Sequence, residues 1–138
     1  MRIILALALV LASMSAAANT HRFEYIAQDV HKFYTKKSQN GEDPLVWHTG
    51  LEPFAGDCDD YVTAMMARLD AEGLDYQVYI VDAYRRGSDG ATRIRRATPH
   101  VVICHGEVCA DSERHRPWRF KGASNYKRWV PARLVRES

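Results

Sequence analysis

GDCDDYVTAMMARLDAEG, residues 56–73, is the stretch from which the rest of the chain can be read. Cys58, Tyr61, Val62, Met65, Met66 and Leu69 recur at helical spacing, which predicts a helix over about 57–72 with Asp57 as N-cap and Gly73 as its stop. Cys58 then stands in the first turn. A free thiol titrates near pH 8.5 and only its thiolate is a nucleophile, so the unpaired N–H groups and dipole of a helix N-terminus favour the reactive form. Asp59 and Asp60 also suit the positive end of the helix, but with Asp57 they repel a thiolate. A working nucleophile here needs a base or cation nearby to offset them.

Outward from this helix, Phe23, Ile26, Ala27, Val30, Phe33 and Tyr34 mark one apolar face, predicting an earlier helix over about 21–37 capped by Asn19 or Thr20. Residues 38–55 carry Asn40-Gly41, Pro44, Gly50 and Pro53 and read as a loop. Downstream, alternation predicts a strand near 75–84, a turn over 85–90 and a strand over 92–97. A hairpin of 100–104 and 107–111 around His105-Gly106 follows, with a last strand near 127–133. Two N-terminal helices packed on a small antiparallel sheet make an α+β fold.

The hairpin supplies the missing base. With a two-residue loop at His105-Gly106, Val102 faces Cys109 and His100 faces Asp111, which places an imidazole beside a carboxylate on one face. A four-residue loop would instead set Cys104 opposite Cys109 and Val102 opposite Asp111. Cys104 and Cys109 are thus a cross-hairpin disulfide, two buried thiols or, with His105 and His115, ligands of a zinc ion. Cys58, His100 and Asp111 are the candidate thiol–imidazole–carboxylate triad. Asp57, Asp59 and Asp60, three carboxylates in four positions, are candidate ligands for a hard divalent cation such as calcium.

The chain has 138 residues, 19 Lys+Arg and 17 Asp+Glu. That bounds it to one domain, and no basic run points to nucleic acid. Met1-Arg2, the apolar run Ile3–Ala12 and small residues ending Ala16-Ala17-Ala18 form the pattern of a secretory signal peptide cleaved after Ala18. Ten apolar residues reach about half of a bilayer core, so no stable membrane insertion is expected. The expectation is a single domain over 19–138, periplasmic or secreted, acting as a monomer. Residues 19–75 hold 11 acids and 5 bases, and residues 76–138 hold 6 acids and 13 bases. The simplest account is that the two halves pack on each other and neutralise.

Gly56-Asp57-Cys58-Asp59-Asp60-Tyr61 opening an apolar helix, then His100 on a strand and Asp111 on the next, resembles the bacterial transglutaminase-like cysteine peptidases of the papain/transglutaminase superfamily. The resemblance spans about residues 22–130 and takes in Trp47 and the aromatics Trp118, Tyr126 and Trp129. It implies Cys58 as nucleophile, His100 as general base and acid, Asp111 as orienting residue, and calcium on the acids flanking the cysteine. The implied activity is hydrolysis of a peptide or isopeptide bond in a protein or peptide substrate through an acyl-thioester. The backbone N–H of Cys58 is one expected oxyanion donor, and Trp47 or His48 a candidate second. Acyl transfer, cell-wall peptide hydrolysis on the same triad, or a non-catalytic binding module of the same fold are the alternatives.

Overall fold

In a computed structural model the described residues are 2–37, 45–86, 94–120 and 125–134, with side chains described from 14 onward except at 85–97. A helix α1 (Arg2–Phe33) leads into a short strand β1 (Tyr34–Lys36). Strand β2 (Phe54–Gly56) precedes helix α2 (Cys58–Glu72). Strands β3 (Gln77–Arg86), β4 (Ile94–His105), β5 (Val108–Ala110), β6 (Trp118–Arg119) and β7 (Tyr126–Ala132) complete the chain. The expected α+β class holds.

Helix α2 starts and stops close to where its sequence predicts. Asp57 is the N-cap, and Gly73 ends the helix in the left-handed region at φ 66°. Helix α1 differs at both ends. It runs without a break through Asn19 and Thr20, neither of which caps it, and the Thr20 hydroxyl donates back to Ala16 O at 3.1 Å. The preceding Ala/Leu-rich turns already satisfy the N–H groups a cap would serve. At its other end the helix gives way at Tyr34, because residues 34–36 pair in parallel with 54–56. This ladder ties the end of α1 to the residue before the α2 cap, and neither of its strands was expected.

The other five strands form one antiparallel sheet in the order β6-β5-β4-β3-β7. The two strands expected over 92–97 and 100–104 are one, β4, which continues through Pro99. There β4 pairs with β3 only, because its ladder to β5 begins at Ile103, so a missing N–H is tolerated. The turn expected over 85–90 lies partly in β3, and 87–90 fall outside the described residues. One face of the sheet, with Val78, Ile103 and Ala110, packs on α1 and α2 through Phe23, Ile26, Ala27, Val30, Tyr61, Met65 and Leu69. Each Val, Leu, Ile, Phe or Met side chain among them contributes about 1.5–3 kcal/mol by leaving water.

The other face is concave. On a flat sheet β6 and β7 would stand about 19 Å apart, four strand spacings. Instead Trp118 and Tyr126 rings lie 5.5 Å apart, Trp118 and Trp129 5.8 Å, and Phe120 and Trp129 4.1 Å. The sheet therefore curls until its two ends touch through aromatic rings, around Val81, Val102, Cys104 and Cys109.

Candidate active site

Three local devices place Cys58. Gly56 precedes the cap without a positive φ; its need is space, since a Cβ there would run into the Asp60 side chain. Asp60, at the third helical position, reaches back and accepts the Asp57 N–H at 3.1 Å. The Gly56 carbonyl is pinned from β1, accepting Tyr34 Oη at 2.9 Å and the Lys37 N–H at 2.8 Å. Cys58 is a partly exposed free thiol at the mouth of the helix.

The hairpin carries the other two residues, in the second of the two registers its sequence allows. Cys104 pairs with Cys109 and His105 with Val108, so the two-residue turn is Gly106-Glu107 rather than His105-Gly106. The first turn position takes φ 57°, which costs glycine nothing and would strain His105. Cys104 and Cys109 are disulfide-bonded, which also removes them as metal ligands. Val102, not His100, stands level with Asp111. The ladder ends at Ala110, however, and Asp111 leaves the strand and reaches His100 diagonally.

His100 Nε2 stands 3.3 Å from Asp111 Oδ2, in a geometry short of a well-formed hydrogen bond. Asp111 is fully buried. Its Oδ1 accepts the backbone N–H groups of Glu113 (3.1 Å) and Arg114 (3.0 Å), and its Oδ2 accepts Tyr126 Oη at 2.6 Å. Burial alone would raise the Asp111 pKa; His100 and Tyr126 outweigh it and hold the carboxyl below its ordinary range. Burial would likewise lower His100, but the Asp111 carboxylate and then the Cys58 sulfur outweigh it and hold the imidazole up at about 9. Cys58, His100 and Tyr126 line one cavity of about 470 Å³ with Asp57, Ser112 and Arg114. Cys58 and His100 thus meet at its wall, and Asp111 lies buried behind His100.

The three acids divide. Asp60 is turned inward, with its Oδ1 3.0 Å from His48 Nε2, so it does not join the cation set predicted for it. Donor atoms of Asp57, Cys58 and Asp59 lie within 4.8 Å of one another. Burial, then a proton shared with Asp57, pushes Asp59 up to about 7. Asp57 Oδ1 is buried without a hydrogen-bond partner. A pair of crowded carboxyls with an orphaned buried oxygen is compatible with a hard cation, for which Asp57 and Asp59, without Asp60, would be the carboxylate ligands.

His48 is spent on Asp60, and neither Trp47 nor His48 is among the residues lining the cavity. Trp47 packs against the main core. Two hydrogen-bond partners of Asp111 lay beyond sequence reasoning. Tyr126 serves Asp111 from a strand 15 residues away. His31, kept neutral chiefly by burial, donates from Nε2 to the Asp111 carbonyl at 2.8 Å. Its one sequence signal was its place beside Val30, on the apolar face of α1. Comparison of the chain with protein-family models, curated proteins and solved structures finds no match to any of them.

Proposed function

We propose that the chain is an exported cysteine peptidase of transglutaminase-like fold, hydrolysing a peptide or isopeptide bond in a protein substrate. The observation that carries this reading is a helix-mouth thiol sharing one cavity wall with an imidazole 3.3 Å from a buried carboxylate. With Nε2 turned to Asp111, His100 has Nδ1 left to take the Cys58 proton. The sulfur attacks the substrate carbonyl, and the Cys58 backbone N–H, unpaired at the helix start, receives the developing oxyanion. His100 then protonates the leaving amine, a thioester is left on Cys58, and water, deprotonated by His100, releases the acid. Asp111 holds the ring and stabilises its charged form through each of these proton transfers.

Asp57 and Asp59 are the residues that would hold calcium, which when bound supplies positive charge beside the thiolate. The leader pattern of residues 1–18 supports export to the periplasm or the medium. Among the described residues no helix is long and apolar enough to cross a membrane.

A proteome-wide cleavage comparison of wild type and Cys58→Ala tests the reading, with and without a calcium chelator. New termini in the wild-type digest alone are expected, fewer of them under chelation. Identical peptide patterns from the two proteins would sink the peptidase reading, and cleavage indifferent to chelation would remove calcium from it.

A further inference from the structure

The cavity wall beyond the triad has a charge pattern that the reaction itself does not use. Its lining holds three cations, Lys36, Lys37 and Arg114, and two acids, Asp57 and Glu113. Glu113 is committed to Lys36, with Nζ to Oε1 at 2.7 Å. Asp57 faces Asp59 at the helix mouth.

Arg114 is different. Its guanidinium stacks over the Trp118 ring at 4.8 Å and the Tyr126 ring at 5.3 Å, and Nη2 donates to Asn125 Oδ1 at 2.8 Å. All three contacts are neutral, and among the described residues no carboxylate pairs with it. Its backbone N–H is also fixed, on Asp111 Oδ1. Two aromatic faces and an amide therefore hold the guanidinium in place at the wall while leaving its charge unspent. Guanidinium presents five donors in a rigid fork matched to a carboxylate. A preorganised, uncompensated fork beside a nucleophile is what recognition of an anion requires.

We infer that the substrate bears a carboxylate close to the scissile bond, received by Arg114 with Lys37 as a second cation on the same wall. The inference rests on Cys58 being the nucleophile, and it adds the class of group next to the bond. The carboxylate comes from an acidic side chain or from a free C-terminus.

The test reads the cavity through Cys58 itself, using iodoacetate and iodoacetamide, reagents of nearly one size that differ in charge. The ratio of their alkylation rates is measured at pH 7 and low salt in wild type, Arg114→Gln, Arg114→Lys and Lys37→Gln. His100 is present in all four, so its own pull on the anion cancels. Loss of one cation from the cavity wall is expected to lower the iodoacetate preference about threefold to tenfold in Arg114→Gln, less in Lys37→Gln, and little in Arg114→Lys. A ratio unchanged in both Gln variants would overturn the inference and leave the peptidase reading intact. If Arg114→Gln does not fold, Lys37→Gln decides alone. Failure of Cys58 to react with either reagent would remove the peptidase reading, and the inference with it. Matched peptides with Glu or Gln near the cleaved bond, and with free or amidated C-termini, then separate the two sources of the carboxylate: a Glu preference abolished in Arg114→Gln supports the side chain, and a free-terminus preference so abolished supports the terminus.

Discussion

Asp111 Oδ2 faces two groups, the Tyr126 hydroxyl at 2.6 Å and the His100 ring at 3.3 Å. The phenol is the shorter, charge-assisted bond, so Tyr126→Phe leaves a fully buried carboxylate short of a donor. Its expected cost is about 1.5–3 kcal/mol, read as a lower urea midpoint at unchanged slope. The pair also sets how stability follows pH. His100 is held at about 9 against an ordinary 6.5, so its contribution is complete below pH 6.5 and is lost as pH rises through 9. Asp111 is held below its ordinary value of 3.8; its contribution is present above that value and is lost as pH falls through the lower folded one. The pair's own contribution is therefore full between about pH 4 and 6.5, and above pH 6.5 the urea midpoint of wild type should fall more steeply than that of His100→Gln. That Cys58, His100 and Asp111 would come together was legible in the sequence, because a helix-mouth cysteine and the strand positions of a His and an Asp each leave a local signal. Tyr126 and His31 were not, because a phenol and a half-buried histidine look like packing until the fold brings them to Asp111.

At the scale of elements, periodicity reached the helices and the long strands, and short pieces escaped it. Helix α2 could be bounded to within a residue because its cap, its apolar face and Gly73 agree. Strands β1 and β2 are three residues each and pair across some twenty residues, so nothing local announces them. The hairpin register turned on whether His105 or Gly106 opens the turn, and the positive φ selected the glycine. That choice sets Cys104 against Cys109 and leaves only three residue pairs between β4 and β5, with the disulfide at the middle one. This short ladder carries Asp111 to His100. Replacing both cysteines with alanine is expected to cost about 2 kcal/mol, since the bond closes a small loop, and to slow turnover as Asp111 loses its place. Guanidinium unfolding together with activity measures both; full activity in the double variant would show that Asp111 is held without the bond.

On the scale of the whole molecule, the sheet's curl and the placing of α2 make the site. Helices cover one face, aromatic rings close the other, and the cavity opens where the mouth of α2 meets His100, in the middle of β4, and Tyr126, at the start of β7. The α+β class followed from the order of elements. The curl did not, because it depends on Trp118 and Phe120 meeting Tyr126 and Trp129 from the far end of the sheet. The central claim is that this architecture delivers an imidazolium to a helix-mouth sulfur. The most direct measurement is the rate of Cys58 alkylation by iodoacetamide against pH in wild type and in His100→Asn. A paired thiolate keeps reacting at pH 6, where an isolated thiol is almost entirely protonated, so wild type should react there at least about tenfold faster than the variant. Superimposable profiles would mean that His100 does not act on Cys58, and would contradict the account.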